Sequence, residues 1–356
     1  MFFSFSKSNP LFGLDIGSSA VKVVQLKEKK TGYVLEKFGV KSLAPEMIVD
    51  GTVMDATSVG GVIKELLAEQ KIKLKDVAIS ISGHSVIVKK INLPAMTEDE
   101  LEESIKWEAE QYIPFDINDV NIDFHILGTV EGQDGQPQMN VLLVAAKKDK
   151  LNEYISLVTD AGLTPRVVDV DAFAIENMYG MNYGAQESEV VALVNIGASV
   201  MNINILKNTM SSFTRDISIG GNRYTETIQK ELNLSYQDAE QAKRMENPEG
   251  VNPEALSAVM NAVNTEVAGE VTRSIDYFKT ASAQENIHKV VLCGGAARSR
   301  GLVALLGERL GVPVELANPF NQIDIDKKAF NVEEIQDMAP QAAVGVGLAI
   351  RKMGDR

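Results

Sequence analysis

The sequence predicts an α/β fold with two similar lobes that face each other across a cleft, and three observations support it. A strand, a glycine turn and a second strand in LFGLDIGSSAVKVVQL (Leu11 to Leu26) recur in VALVNIGASVMNINIL (Val191 to Leu206). Strand patterns alternate with helical patterns along most of the chain. In KVVLCGGAARSRGL, a strand runs through a Gly-Gly turn into a helix, which is where α/β sheets present ligands.

Length, composition and charge narrow the class of protein. A chain of 356 residues is too long for one small hydrophobic core, which suggests two domains or lobes. Its composition, with 45% hydrophobic and 24% charged residues, is ordinary for a globular protein. The net charge of -14 argues against a nucleic-acid partner, which would require a basic patch. A single cysteine, Cys293, suits a reducing compartment. Because neither a secretory signal nor a long apolar run is present, we expect a cytoplasmic protein without direct membrane insertion.

Apolar periodicity predicts the elements of the first lobe. Stretches rich in Val and Ile on both sides of Gly17 indicate two strands joined by a tight Gly-Ser-Ser turn. The stretch ATSVGGVIKELLAEQKI has helical spacing at Val62, Leu66 and Leu67, and DVAISISG indicates a further strand. Later in the chain, PRVVDVDAFAIENMYG predicts a strand that runs into a helix.

A segment of different character, from VIVKKINLP to about Pro165, predicts an αββα insert. TEDELEESIKWEAEQYI indicates an acidic helix that begins at Thr97, with Glu100 three residues on as in a capping box. The strands VNIDFHILGTV and MNVLLVAAKK follow, and KLNEYISLVTDAG is the second helix. On the acidic helix Trp107 lies outside the apolar stripe, which predicts either packing on the rim or an exposed anchor for a partner.

The second half of the chain repeats the hairpin at Gly197 and then becomes mainly helical. SIGGNRYTETIQKEL and SYQDAEQAKRME predict two helices, and apolar residues from Val263 to Phe278 recur every three to four positions in one long helix. The Gly-Gly stretch then predicts a buried strand and a helix. APQAAVGVGLAIRK predicts a closing helix of small residues, where backbones can pack closely.

The repeated glycine turn indicates a site for phosphate. Such a turn points backbone N–H groups at one spot, and glycine has no Cβ to keep an anion away. One turn is weak evidence, but two turns, each opening its own half of the chain, indicate that each lobe holds one side of a nucleotide's phosphates. The sequence has neither a G-x-x-x-x-G-K-[ST] loop nor a G-x-G-x-x-G that opens a helix.

This layout resembles the actin, sugar-kinase and chaperone-ATPase superfamily, and the resemblance implies an actin-like ATPase fold that binds ATP and Mg²⁺. Asp15 and Asn195 would meet the metal through water, and Asp171 would orient the attacking water. The residues that would hold the nucleotide by this resemblance are Asp15, Gly17, Ser18, Ser19, Lys22, Asn195, Gly197, Ala198, Ser199, Gly220, Gly221, Glu240, Lys243, Arg244, Gly294, Gly295, Ala296 and Arg298.

Several of these residues have a second interpretation. Lys22 either reaches a phosphate or is a solvated strand lysine, and the EQAKR helix (Glu240 to Arg244) either contacts ribose and base or is a solvated charged face. Asp171 either orients water or caps the following helix. Asn195 stands where the superfamily usually has Asp, and we expect weaker Mg²⁺ binding and slow hydrolysis from the missing charge.

The insert and several phrases resemble two related families, the division protein FtsA and the PilM proteins of type IV pili. The phrases are GLDIGSSAVKVVQL, INLPAMTEDELEESIKWEAEQYIPFDINDV, DVDAFAIENMY, EVTRSIDYF and LCGGAARSRGL, and they match the PilM family most closely. An FtsA would continue into a linker and a membrane-targeting helix, whereas this chain stops at GLAIRKMGDR. We therefore expect a member of the PilM family with an SHS2-like, FtsA-like insert.

The PilM resemblance implies an ATP-binding adaptor of the type IV pilus platform, peripheral to the inner membrane. Its partner would be the cytoplasmic N-terminal tail of PilN, with other platform proteins or pilus motor ATPases as further partners. We place the partner surface at Trp107, Pro114 and Phe115, on or beside the insert. An FtsA-like filament protein is one alternative. A small-molecule kinase with a catalytic Asp base is another.

The expected domain boundaries follow from these assignments. Residues 1–88, 165–188 and 340–356 form the first lobe, and residues 89–164 form the insert. Residues 189–339 form the second lobe, in which residues 216–270 are a small helical subdomain.

Overall fold

The computed structural model describes residues 10–131, 135–184, 188–245, 248–282 and 285–354. Within these ranges, two large mixed sheets and a three-stranded sheet organise the chain. The first part contains β1 (Phe12–Ile16), β2 (Ala20–Glu28), β3 (Tyr33–Ser42), β4 (Ile48–Val49), β5 (Thr52–Val53), α1 (Ala56–Glu69) and β6 (Asp76–Ile81).

The inserted part and the return to the first lobe come next. They contain β7 (Val86–Pro94), α2 (Glu98–Glu110), β8 (Val120–Glu131), β9 (Pro137–Lys147), α3 (Lys148–Asp160), β10 (Thr164–Val170) and α4 (Asp171–Tyr183). The predicted capping box begins α2: the Thr97 hydroxyl accepts from the Glu100 N–H, and the Glu100 carboxylate accepts from the Thr97 N–H.

The second lobe and the C-terminal elements complete the described chain. They are β11 (Val190–Ile196), β12 (Met201–Lys207), β13 (Met210–Ile217), α5 (Gly221–Leu232), α6 (Tyr236–Arg244), α7 (Pro253–Ala281), β14 (Lys289–Cys293), α8 (Leu302–Leu310), β15 (Val314–Leu316), β16 (Ile323–Asp324), α9 (Val332–Met338) and α10 (Ala343–Ala349). The long helix predicted in the second lobe is α7, which begins with an Asn252 cap and Pro253 in its first turn.

The two large sheets have the same internal order, as expected for a duplicated lobe. The first is ordered β10-β6-β1-β2-β3-β16 and the second β13-β12-β11-β14-β15. In each sheet the glycine-turn hairpin (β1–β2 or β11–β12) is antiparallel, has a third antiparallel strand beside its second strand, and has a parallel strand beside its first. The parallel strands β6 and β14 therefore end at the same edge as the turns.

The core between the lobes is built on α4 and α10. Apolar side chains of both large sheets pack with these two helices in one buried cluster. Their backbones are so close that a Cβ added to Gly347 would lie 1.7 Å from the carbonyl oxygen of Ala174. The closing helix of small residues predicted from the sequence is thus an inter-helix contact that requires glycine.

The inserted segment differs from the predicted αββα unit in two ways. Its sheet has three strands in the order β7-β9-β8, and β7 begins at Val86, inside the range assigned to the first lobe. Helix α3 buries Tyr154, Leu157 and Val158 in the first-lobe core, together with residues of α1. The apolar face of α3 is buried against the first lobe, so α3 packs with that lobe although it follows the insert strands in the chain.

The C-terminal boundary of the second lobe also differs from the predicted one. Strand β16 (Ile323–Asp324) pairs in parallel with β3 at the edge of the first sheet, although residues 189–339 were expected in the second lobe. Ile335 of α9 is buried in the cluster between the lobes. No helix in the described ranges is both long and apolar enough to cross a membrane.

Candidate functional site

The two glycine turns have the same geometry. The Gly17 N–H donates to the Ala20 carbonyl at 3.1 Å, and the Gly197 N–H donates to the Val200 carbonyl at 3.0 Å. In the first hairpin Ile16 pairs with Val21, and in the second hairpin Ile196 pairs with Met201 at the equivalent position. The sequence repeat is therefore a structural repeat down to single hydrogen bonds.

Both turns open into one cleft of about 640 Å³, a volume within the range of roughly 300–1,000 Å³ that small-molecule sites occupy. Among the residues predicted to hold a nucleotide, all but one line this cleft. The exception is Gly220, which lies behind the second turn. A Cβ there would come within 2.5 Å of the Gly197 carbonyl oxygen, so Gly220 is required for the packing of α5 against the turn.

Asp15 and Lys22 form an ion pair beside the first turn. The Lys22 Nζ lies 2.8 Å from Asp15 Oδ2, and the two side chains are only 14% and 11% exposed. Lys22 is thus not a solvated strand lysine, since its ammonium group points into the cleft. A phosphate near Gly17 would meet this cation and the turn's backbone together.

The equivalent positions of the second hairpin hold two amides instead of an ion pair. Asn195 Nδ2 donates to Asn202 Oδ1 at 2.9 Å, and Asn202 Nδ2 donates to Asp216 Oδ1 at 2.8 Å. An Asp at position 195 would place a carboxylate against the Asn202 carbonyl oxygen. The departure from the superfamily's Asp therefore has a structural reason, namely a donor that Asn202 requires. Asn202, a polar residue between the apolar neighbours of MNINIL, was the available signal for this network, because buried amides need partners.

Asp171 lies at the first position of α4, at the carboxyl end of β10, and faces the cleft. It does not occupy the capping position, which is held by Val170, and the helix has no side-chain cap. Instead, Asp171 Oδ1 accepts from the Ser80 hydroxyl at 2.5 Å, and a second bond comes from Ser82. Burial, and then the neighbouring carboxylate of Asp15, raise the pKa of Asp171 to about 6, while the two serines oppose the rise.

Ser80 and Ser82 are site residues that sequence reasoning missed. Both line the cleft at the end of β6, the parallel neighbour of β1. The signal was present in DVAISISG, where polar residues interrupt an apolar strand at its carboxyl end. Tyr154 and Gly51 were also missed; they line the first-lobe wall, where the Tyr154 hydroxyl donates to the Gly51 carbonyl at 2.9 Å.

The EQAKR helix, α6, is not simply a solvated charged face. Glu240 and Lys243 are 17% and 19% exposed and form an ion pair, and Lys243 Nζ also donates to the Thr225 hydroxyl at 2.7 Å. Burial would raise the pKa of Glu240, but the Lys243 ammonium and the Thr225 hydroxyl outweigh it and keep that pKa below its usual value. Arg244 is 69% exposed, with its guanidinium 3.1 Å from Glu240 Oε2.

The Gly-Gly turn after β14 closes the third side of the cleft. Gly294 has a φ of +88°, and a Cβ there would lie 2.4 Å from the Ile196 carbonyl oxygen, so only glycine fits between the two strand ends. Gly295, Ala296 and Arg298 form the short 3₁₀ turn that follows. Arg298 is held from outside by the carboxylate and carbonyl groups of Asp337.

This arrangement fits a nucleoside phosphate with a hydrated cation. Two turns that begin with glycine offer room and backbone donors for phosphates, with Lys22 beside the first of them. In the described part of the chain, no group of three or more His, Cys, Asp or Glu side chains is arranged to hold a metal ion. Asp15 and the Asn195 carbonyl oxygen remain the groups predicted to meet a hydrated ion.

The predicted partner residues have different degrees of exposure. Trp107 is 80% exposed on α2, so it does not pack on a rim, while the apolar stripe of the same helix, Leu101, Ile105 and Ala109, is buried. Pro114 is exposed. Phe115 is half-buried against the insert core, with the Lys147 Nζ 4.3 Å from its ring centroid.

Residues 13–353 match the family model described as Type IV pilus assembly protein PilM. The chain belongs to this family. A solved PilM-PilN type IV pilus biogenesis complex is similar to it over 97% of this chain and 98% of that chain, with 31% identity and a TM-score of 0.86. The expected fold and family are thus confirmed for this PilM-family protein.

More distant relatives place the PilM-family chain among actin-like proteins. The cell division protein FtsA of Streptococcus pneumoniae serotype 2 (strain D39 / NCTC 7466) is 25% identical over 369 residues, covering 92% of this chain and 80% of that protein. The structure of MreB5 of Spiroplasma citri bound to ADP is 13% identical, with a TM-score of 0.51 over 95% and 94% of the two chains. At that identity the likeness shows the actin-like ATPase fold alone.

Proposed function

We propose that this PilM-family protein is a cytoplasmic, ATP-binding adaptor of the type IV pilus platform, held at the inner membrane by the N-terminal tail of a PilN partner. The observation that carries the partner is the similarity to a PilM-PilN complex over nearly the whole of both chains. The observation that supports nucleotide binding is the pair of matched glycine turns opening into one cleft.

Each side of the cleft has a separate task in this proposal. The first turn and Lys22 hold the terminal phosphates, and the second turn holds the chain of phosphates from the other lobe. The surfaces of α6 and of the Gly294 turn enclose ribose and base. Bound Mg²⁺ would neutralise phosphate charge, and Asp15 with Asn195 would position its waters. Calorimetric titration with ATP and Mg²⁺, followed by a synthetic PilN tail peptide, tests both halves of the proposal.

Any hydrolysis should depend on the ionisation of Asp171. Its buried carboxylate can orient water or accept a proton in the cleft, so we expect single-turnover hydrolysis to fall as the pH is lowered through about 6. Asp171→Asn should reduce the rate by roughly 100-fold, the lower end of what a positioned base contributes. Hydrolysis of labelled ATP between pH 5 and 8 is the measurement.

Asp123→Asn is the matched control for that experiment, because Asp123 is exposed on β8, away from the cleft. It should keep both the wild-type rate and the wild-type pH profile. A rate that is flat across this range, and unchanged in Asp171→Asn, would exclude Asp171 from the reaction.

Trp107 is the proposed anchor for the tail. The sole tryptophan of the sequence stands exposed on α2, which carries seven carboxylates and one lysine. We therefore expect a tail with basic residues and an affinity that falls with added salt. Trp107→Ala should weaken tail binding by more than about 1 kcal/mol, or at least fivefold, because a large aromatic contact is lost. The dissociation constant is measured by calorimetry.

Tyr277→Ala is the matched control, since Tyr277 is a 63% exposed aromatic residue on α7 of the second lobe. It should leave tail binding unchanged, and ATP binding should be retained in both variants. Phe115→Ala is expected to weaken tail binding too, but the variant also opens the insert core, so its melting temperature must be measured beside it. Wild-type tail affinity in Trp107→Ala would place the partner surface elsewhere.

A further inference from the structure

A continuous series of hydrogen bonds joins the second glycine turn to the start of the inserted segment. Asn195 donates to Asn202, and Asn202 donates to Asp216 Oδ1. On the other side, Asp216 Oδ2 accepts from the backbone N–H of Gly83 at 2.6 Å. Asn195 and Asn202 line the cleft, whereas Gly83 belongs to the loop between β6 and β7. The series thus has three bonds, and the last of them crosses from the second lobe to the first.

The direction of these bonds is fixed by chemistry. The Gly83 N–H can only donate, and the Asp216 carboxylate can only accept. Asn202 must therefore turn its amide nitrogen to Asp216 and its carbonyl oxygen to Asn195, which in turn must donate. A change at one end cannot be absorbed by rotating a single side chain without losing a bond.

Two further contacts join the second lobe to the start of the insert. His84 Nε2 lies 2.8 Å from the Ser218 hydroxyl, and the Thr214 hydroxyl donates to the Val88 carbonyl at 3.4 Å. Val88 is part of β7, an edge strand of the three-stranded sheet, and Thr214 is part of β13, the edge strand of the second large sheet. The loop before β7 is consequently held by the second lobe as well as by its own.

We propose that Asp216 is a positioning residue that couples nucleotide in the cleft to the inserted segment. The proposal rests on the proposed nucleotide function and adds the route by which an occupied cleft would alter the partner-binding part. A phosphate bound between the turns fixes the second hairpin relative to the first. A hydrogen bond weakens steeply with distance and angle. Fixing the hairpins therefore keeps the Gly83 N–H on the Asp216 carboxylate, whereas an empty cleft lets the Gly83 loop separate from Asp216.

Hydrogen exchange measured by mass spectrometry on the full chain tests this coupling at the loop. In the wild type, saturating Mg²⁺ and ATP should slow amide exchange in the segment from Ser82 to Val88 by about tenfold or more. Asp216→Ala should exchange rapidly there with and without nucleotide, although calorimetry still detects ATP binding. Asp216→Asn keeps the side-chain volume but turns an amide donor toward either the Gly83 N–H or the Asn202 amide. It should show the same rapid exchange as Asp216→Ala, and it serves as the test if the alanine variant misfolds.

Ser218→Ala is the matched control, because it removes the neighbouring contact to His84 and leaves the three bonds intact. It should keep the nucleotide-dependent slowing of exchange. An equal loss of this slowing in Ser218→Ala would assign the coupling to all the contacts between the second lobe and the insert, and it would overturn the specific role of Asp216. ATP binding to the wild type without a change in loop exchange would overturn this proposal alone, whereas absence of ATP binding would overturn the proposed nucleotide function with it.

The affinity of the PilN tail peptide, with and without nucleotide, is the second readout. A merely structural role for Asp216 would weaken tail binding equally in both conditions. Coupling through Asp216 instead predicts that nucleotide changes the wild-type dissociation constant, and that the ratio of the two values moves to one in Asp216→Asn.

Discussion

Gly347→Ala is expected to destabilise the core between the two lobes by about 3 kcal/mol or more, at the upper end of overpacking costs. The added Cβ would lie 1.7 Å from the Ala174 carbonyl oxygen, which is backbone of α4 and cannot rotate away. Helices α4 and α10 would have to separate, and both belong to the cluster that joins the two large sheets. Thermal unfolding followed by circular dichroism should show a melting temperature lower by about 4 °C or more for a chain of 356 residues.

Gly61→Ala is the matched control for this substitution. Gly61 is also in a helix, α1, but nothing lies within 4 Å of its added Cβ. Removing a helical glycine should there stabilise the protein by up to about 1 kcal/mol. A Gly347→Ala variant that melts at or above the wild-type temperature would mean that α4 and α10 do not pack as described.

Gly17→Val should reduce ATP affinity by at least about 100-fold, which corresponds to roughly 2.7 kcal/mol. Gly17 has an ordinary backbone conformation, and the nearest neighbours of its added Cβ would be the Ala20 carbonyl at 3.3 Å, the end of Lys22 at 3.4 Å and Asp15 Oδ1 at 3.8 Å. The fold should therefore tolerate the change, while the branched side chain occupies the space predicted for phosphate. Calorimetric titration with ATP and Mg²⁺ gives the affinity.

Gly61→Val, in the open environment just described, is the corresponding control and should bind ATP as the wild type does. The second turn offers a less direct test, because a Cβ on Gly197 would come within 2.9 Å of the Val200 carbonyl oxygen and strain the hairpin itself. Undiminished ATP affinity in a folded Gly17→Val variant would remove the first turn from the phosphate site.

Local pattern predicted much of the site. The repeated glycine turns, the Gly-Gly turn after β14 and the EQAKR helix all line one cleft, as expected. Ser80 and Ser82 escaped prediction because their function depends on Asp171, which is 91 and 89 residues away and meets them only when β6 and β10 pair. For Asp171 the sequence left two roles open, orienting water or capping the helix, because sequence position alone does not show where a side chain points; the structure places it in the cleft.

The duplicated α/β architecture and the positions of the glycine turns could be predicted from the sequence, because strand periodicity and glycine turns are local properties of neighbouring residues. The family followed from the resemblance of whole phrases. Three features could not be predicted in this way: α3 packs on the first lobe, β16 joins the first sheet, and Asp216 accepts from the Gly83 N–H. These contacts join residues far apart in the chain: Gly83 and Asp216 are 133 positions apart, and Tyr33 and Ile323 are 290 apart. Their partners are chosen by which apolar faces and unsatisfied hydrogen-bonding groups remain when the lobes assemble.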